Sequence, residues 1–151
     1  MLTTRQATII KKWIAALRSG KYSQTTNTLK RVSSKGKTSY CYLGVLVEEC
    51  GTIVEKSLHL RPYRIRPNGD VDVLGDVNAQ EGTISPMMMG RVGLKSCHLG
   101  HLIEMNDTEN RRFPTIAKYV EKYVLNGELT PEEIEHVKWA AHKGTGGSSS
   151  D

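Results

Sequence analysis

The stretch YRIRPNGDVDV, residues 63–73, gives the clearest secondary-structure signal in the sequence. Tyr63, Ile65, Val71 and Val73 alternate with polar residues on the two sides of an Asn-Gly pair. Such alternation is typical of half-buried strands, and Asn-Gly between two of them is a strong hairpin signal. The sequence therefore predicts a β-hairpin with its turn at residues 67–70.

A second hairpin is predicted upstream, where residues 26–33 and 37–42 are rich in Thr, Val, Tyr and Ser. The two segments flank Ser34-Lys35-Gly36-Lys37, in which Gly36 suits a turn. Strand alternation would place Cys41 on the face opposite the tyrosines beside it. We therefore expect Cys41 to be a buried thiol within a strand.

The segment before these hairpins has the pattern of an amphipathic helix. Its apolar residues have helical spacing, with a capping threonine before them and a glycine after them: Thr3 or Thr4, Ile10, Trp13, Ile14, Leu17 and Gly20. This pattern predicts a helix from about residue 4 to residue 19.

Helical signals return later in the chain, so the expected fold class is α+β: a small antiparallel sheet of two hairpins packed with four to five helices. Apolar spacing and start or stop signals predict these helices at residues 43–50 before Gly51, from Met87 to about Leu94 after Ser85-Pro86, from about Pro114 to Asn126-Gly127, and from 131 to about 143 after Thr130.

Composition indicates one globular domain over residues 1–143, followed by a flexible tail, GTGGSSSD, at residues 144–151. No apolar run approaches the roughly 18 residues of a membrane helix, and the N-terminus lacks the zones of a secretory signal, so we expect neither a membrane protein nor an exported one. Three cysteines offer no disulfide framework and fit a reducing cytoplasm.

The charge is distributed unevenly along the chain. The formal net charge is +5, but residues 1–47 contain nine basic residues and no acid, whereas the remainder carries 12 basic and 16 acidic residues. A basic segment of this kind favours an anionic partner. The alternative is a solvated face that pairs with the acidic remainder of the same chain.

Three motifs of known chemistry are incomplete. Gly36-Lys37-Thr38 resembles the end of a phosphate-binding P-loop, but Arg31 stands where that motif requires glycine. Cys97-His98-x-x-His101 offers metal ligands that Cys41 or Cys50 would have to complete, and zinc sites usually show two such pairs. Cys41 has no assigned histidine base. We therefore expect no metal, no cofactor and no enzymatic activity.

Polar and aromatic residues interleaved with the positive charges form the candidate binding site. Lys and Arg can bind phosphates, Tyr can stack on a base, and Gln can hydrogen-bond a polar edge. No helix-turn-helix, zinc-finger or RNP signature accompanies them. The candidates in this segment are Arg18, Lys21, Tyr22, Gln24, Lys30, Arg31, Lys35, Lys37 and Tyr40.

Four motifs are distinctive in combination: W-x-x-A-L-R-S-G-K-Y-x-Q at residues 13–24, C-x-L-G-V at 41–45, L-I-x-x-N-D at 102–107 and F-x-x-I-A-x-Y-V-E at 113–121. Together they resemble a family of small proteins of tailed bacteriophages and prophages. Polar residues in these motifs are costly to bury unless they are hydrogen-bonded, which adds Asn106 and Asp107 to the candidate site. A turn or a helix cap is the alternative role for this pair.

The resemblance implies a non-enzymatic phage accessory protein, acting in counter-defence or host takeover in the cytoplasm of the infected bacterium. Combined with the basic segment, it predicts binding of an anionic ligand, either a nucleotide-type signal molecule or an acidic surface on a host protein. Sequence-independent nucleic-acid binding is the alternative. The oligomeric state is not predicted.

Overall fold

The two predicted hairpins form one four-stranded antiparallel sheet in the computed structural model, which describes residues 1–54, 63–73, 84 and 86–149. The strands are β1 (Lys30–Val32), β2 (Thr38–Tyr40), β3 (Tyr63–Ile65) and β4 (Val71–Val73), in the order β2-β1-β4-β3. Both hairpins and the α+β class are confirmed.

Each hairpin turn is a three-residue loop with glycine at its last position. Gly36 and Gly69 have φ angles of 81° and 92°, a left-handed conformation that glycine adopts without steric cost. Beyond the loops, Ser33 N–H donates to Lys37 O at 2.8 Å and Arg66 N–H to Asp70 O at 2.8 Å. The turn chemistry therefore sets the register of both strand pairs.

The described residues form six α-helices beside the sheet, more than the predicted four to five, because α4 was not predicted. They are α1 (Thr4–Arg18), α2 (Tyr42–Val54), α3 (Pro86–Val92), α4 (Ser96–Ile103), α5 (Phe113–Tyr119) and α6 (Pro131–Ser149). Wider π-helical turns, which the sequence did not predict, follow α4 at Glu104–Thr108 and α5 at Val120–Leu125. Across the described ranges, no helix combines the length and apolar character that crossing a bilayer requires.

Helix α1 begins and ends as predicted and supplies the centre of the core. Thr3 and Gln6 form a reciprocal capping box, and Gly20 has a φ angle of 75° just beyond the last turn. Trp13 is fully buried, and its indole N–H donates to the backbone oxygen of Tyr42 at 2.9 Å. This bond joins α1 to the start of α2.

The predicted path of the chain around Cys41 is wrong. Helix α2 starts at Tyr42, directly after β2, so Cys41 lies at the helix N-terminus rather than within a strand. The carbonyl oxygen of Cys41 accepts from Val45 N–H at 3.0 Å, which closes the first helical turn. Tyr42 is buried and stacks on Trp13 at a centroid distance of 6.2 Å. The predicted burial of Cys41 is confirmed.

Two predicted helix ends are also wrong. Helix α2 continues through Gly51 to Val54, and α6 continues past residue 143 to Ser149. Glycine and serine weaken a helix but, unlike proline, keep its backbone hydrogen bonds, so neither segment had to stop. Ser85 and the last residues of the predicted tail, 150–151, lie outside the described residues.

Candidate anion-binding site

One face of the sheet carries three arginines around a single buried aspartate. Asp72 is fully buried and accepts from Arg31 Nε at 2.8 Å, from Arg66 Nε at 2.8 Å and from an Arg64 terminal nitrogen at 3.2 Å. Although burial raises the pKa of Asp72, these hydrogen bonds lower it to about 2. Three guanidinium groups therefore surround one carboxylate on this face of the sheet.

Strand pairing creates this cluster. Arg31 lies opposite Asp72 on β4 and opposite Ser39 on β2, and Arg64 of β3 also lies opposite Asp72. Residues directly opposite each other in a sheet present their side chains on the same face. Arg64, Arg66 and Asp72 were not predicted as site residues, although the polar positions of residues 63–73 alternate with the apolar ones and so mark a polar face.

A small polar cavity opens beside Arg31, and we call it the cationic cleft. Its volume is about 260 Å³, and it is lined by Ser23, Gln24, Arg31, Ser33, Lys37 and Ser39. Thr25 Oγ1 accepts from an Arg31 terminal nitrogen at 3.0 Å, so the guanidinium is held between Thr25 and Asp72. Lys37 is exposed, and its ammonium has no ion-pair partner among the residues described.

A second cavity adjoins the first and shares Ser23 and Gln24 with it. This helix-side cleft has a volume of about 430 Å³ and is lined by Leu17, Arg18, Gly20, Tyr22, Ser23, Gln24, Arg112, Phe113 and Pro114. Arg18 forms a forked ion pair with Glu121, at 3.0 and 3.4 Å. The structure therefore brings five of the predicted residues into two neighbouring clefts: Arg18, Tyr22, Gln24, Arg31 and Lys37.

The predicted pair Asn106 and Asp107 contacts the loop behind the clefts. Asn106 is fully buried, and its side-chain oxygen accepts from Gln24 Nε2 at 2.9 Å. Asp107 Oδ1 accepts from the backbone N–H of Asn27 at 3.1 Å. Both side chains therefore support the wall of the clefts from the inside, and neither of them lines a cleft.

Lys21 and Tyr22 share a carboxylate on α2. Tyr22 Oη donates to Glu49 Oε1, and Lys21 Nζ lies 3.6 Å from the same oxygen. Burial and this hydrogen bond raise the pKa of Tyr22, and the bond lowers the pKa of Glu49. With Arg18–Glu121 and Arg31–Asp72, this contact confirms that acids from the rest of the chain pair with part of the basic segment.

The remaining predicted residues lie elsewhere. Lys30 and Tyr40 line a cavity of about 260 Å³ on the other face of the sheet, together with α2 residues such as Val47. Lys30 Nζ lies 5.8 Å from the centroid of the Tyr40 ring, a cation–π contact. Lys35 is exposed in the first hairpin turn. The basic residues of the first hairpin are therefore split between the two faces of the sheet, with Arg31 and Lys37 on one and Lys30 on the other.

Cys41 does not have the properties of a nucleophile. Its side chain is buried, and its sulfur accepts from Gly44 N–H at 3.4 Å. Burial raises the pKa of the Cys41 thiol to about 12, although backbone hydrogen bonds at the helix N-terminus oppose this shift. At neutral pH the group is therefore a protonated thiol, which is unreactive.

The fold and clefts define an α+β domain with a cationic, polar cavity on one sheet face. A family model described as a domain of unknown function, DUF8296, matches residues 5–124. The chain therefore belongs to this family, and the matched range contains both clefts and the Asn106-Asp107 pair. No curated protein and no solved structure matches the chain.

Proposed function

We propose that the protein is a non-enzymatic binder of a small anionic ligand, whose phosphate-type group occupies the cationic cleft. The observation that carries this proposal is the position of Arg31, which is fixed by Asp72 and Thr25 and lines the cleft together with Lys37. A charged group that is already held in place loses little conformational freedom when a ligand binds.

The chemistry of the cleft suits a phosphate. A guanidinium and an ammonium supply charge-assisted hydrogen bonds, and hydroxyls from Ser23, Ser33 and Ser39 add neutral donors. The second and third arginines at Asp72 add positive field to the same sheet face.

The size of the clefts supports a nucleotide-type ligand. The cationic cleft, at about 260 Å³, is slightly smaller than a usual small-molecule site, so it suits one part of a ligand. The helix-side cleft is contiguous with it through Ser23 and Gln24, and Tyr22 lines it. A base that stacks on the Tyr22 ring would replace the Lys21 ammonium, which lies 5.3 Å from the ring centroid. We assign the phosphate to the first cleft and the base to the second.

The proposal includes the setting implied by the resemblance to phage proteins. In that setting the protein acts in the cytoplasm of an infected bacterium and sequesters a nucleotide-type signal in counter-defence or host takeover. The motif of residues 13–24, which carries much of that resemblance, also supplies Arg18, Tyr22 and Gln24 to the helix-side cleft.

Isothermal titration calorimetry against inorganic phosphate, purine mono- and triphosphates and cyclic dinucleotides tests the proposal. Lys37→Glu reverses a charge that lines the cleft, so we expect binding of the best ligand to weaken more than about tenfold, or about 1.4 kcal/mol. Lys35→Glu is the matched control, because Lys35 is exposed in the same turn and does not line the cleft. Equal affinities of the two variants, or no binding by the original chain, would overturn the proposal.

Sequence-independent nucleic-acid binding is the second candidate. It is favoured by the exposed lysines of the first hairpin turn, Lys35 and Lys37, next to the three-arginine face. Polynucleotide affinity would then fall steeply with salt, because bound phosphates release counterions. Lys35→Glu and Lys37→Glu would weaken polynucleotide binding equally. Binding of a small ligand in the cleft, in contrast, would be weakened by Lys37→Glu and not by Lys35→Glu.

A further inference from the structure

A thiol, an imidazole and a carboxylate converge between α4 and α6, away from the proposed ligand site. Cys97 and His98 lie in the first turn of α4, and Glu133 lies in the first turn of α6. The sulfur, a ring nitrogen and a carboxylate oxygen all lie within 4.8 Å of one another. None of these three residues lines the cationic cleft.

His98 is the unusual member of this group. It is only 2% exposed, and neither ring nitrogen has a hydrogen-bond partner within the described part of the chain. A buried polar group without a partner is costly, by about 1–3 kcal/mol. A neutral imidazole offers a metal ion the lone pair of one ring nitrogen.

We propose that Cys97, His98 and Glu133 bind a zinc ion. Thiolate, imidazole and carboxylate are the three ligand types that zinc uses in proteins. Coordination would supply the buried imidazole with the partner it lacks. Three protein ligands leave a tetrahedral ion one further position for water or another small ligand.

The site differs from the one that the Cys97-His98-x-x-His101 motif suggested. His101 lies outside the group, because its Nδ1 is 2.6 Å from Tyr119 Oη and its Nε2 is 3.4 Å from a Glu132 oxygen. Cys41 and Cys50, the residues that had to complete that motif, are buried at α2 and take no part. The third ligand comes instead from Glu133, in the first turn of α6.

The Glu133 carboxylate already has two partners, which compete with a metal ion for its oxygens. Its Oε1 accepts from Thr130 N–H at 3.0 Å, which caps α6, and its Oε2 lies 3.3 Å from Lys95 Nζ. The Lys95 side chain is 61% exposed, so its ammonium can move into water when a metal ion arrives. The ion would replace a weak surface ion pair with a link between α4 and α6.

Metal binding to the full chain, stripped with chelator and free of a histidine tag, tests the site. We expect one zinc ion per chain by elemental analysis, and a thiolate-to-cobalt absorption band when Co²⁺ is used instead. Cys97→Ser should abolish that band and weaken zinc binding more than about tenfold. Glu133→Gln should also weaken binding, while a glutamine at this position still caps α6.

Two further variants make the test specific. His101→Gln is the matched control and should keep both the stoichiometry and the cobalt band. Lys95→Ala should strengthen zinc binding, because it removes the cation that competes for Glu133. Because His98 is buried, His98→Gln is informative only if circular dichroism shows that the variant folds. If it does not fold, the test rests on the variants of the two half-buried ligands, Cys97 and Glu133. Failure of the original chain to bind zinc, or unchanged affinity in Cys97→Ser, would overturn the proposal.

Discussion

The side-chain nitrogen of Asn106 donates a hydrogen bond to the backbone oxygen of Thr25, 3.0 Å away. The same nitrogen donates to Asp107 Oδ1 at 2.7 Å, and Asp107 accepts from the backbone N–H of Asn27, whose φ angle is 62°. Asparagine adopts this left-handed conformation more readily than most residues. The π-helical turn after α4 therefore holds the loop between α1 and β1, whose Ser23 and Gln24 line both clefts.

Asn106→Ala should destabilise the chain by about 2 kcal/mol, because it removes three hydrogen bonds in a buried position. Hydrogen exchange at residues 20–29 should accelerate more than in the rest of the chain, and ligand affinity should fall with it. Urea denaturation and exchange mass spectrometry measure both effects. Thr108→Ala, in the same turn but exposed, is the control, and an equal loss in both variants would contradict the role assigned to Asn106.

The Asp72 cluster predicts a loss of stability in acid. Hydrogen bonds from arginines hold the pKa of Asp72 at about 2, below the ordinary value of 3.8. Ionised Asp72 therefore adds about 2 kcal/mol to the free energy of unfolding above about pH 4. This stabilisation is lost as the pH falls towards 2. Denaturation at a series of pH values measures it.

Asp72→Asn is the companion variant for that series. It should be less stable by about 3 kcal/mol at pH 7, because three guanidinium groups lose their carboxylate. Between pH 4 and 2 its stability should change less than that of the original chain, by the contribution of Asp72. Parallel acid profiles of the two proteins would show that Asp72 is not the group responsible.

Cysteine accessibility gives a third prediction. In the folded, chelator-treated chain at neutral pH, iodoacetamide should modify Cys97 and leave Cys41 and Cys50 intact, because only Cys97 is partly exposed and burial raises the pKa of the other two. In urea all three should react. Peptide mass spectrometry locates the label, and rapid modification of Cys41 in the folded chain would contradict the buried thiol.

Local signals predicted most of the fold. The glycines at residues 36 and 69 set both hairpin turns, and the Thr3–Gln6 box sets the start of α1, because each depends on residues close in sequence. The junction at Cys41 was mispredicted since β2 passes into α2 with no glycine, proline or polar cap between them. Strand alternation continues there in the sequence after the strand has ended.

The site was harder to predict because it depends on pairing between distant strands. That Arg31 belongs to the basic segment is visible in the sequence, but its partner Asp72 becomes its neighbour only when β1 pairs with β4. The surplus of acids after residue 47 indicated that ion pairs would form, and it could not say which. The same holds for His98 and Glu133, which meet only when the N-terminus of α6 lies against α4.

Gly44, in the C-x-L-G-V motif, lies where no side chain fits, and this predicts a large effect of one methyl group. A Cβ at Gly44 would lie 1.8 Å from the backbone oxygen of Leu29, whose N–H donates to Val73 O at 2.9 Å and so holds the start of β1. Gly44→Ala should therefore lower the free energy of unfolding by at least about 3 kcal/mol, measured by urea denaturation. Gly100→Ala is the control, because a Cβ there meets nothing within 4 Å, and in a helix it should be neutral or stabilising by up to about 1 kcal/mol. Similar stabilities for the two variants would mean that α2 and the Leu29 backbone are not in the close contact described.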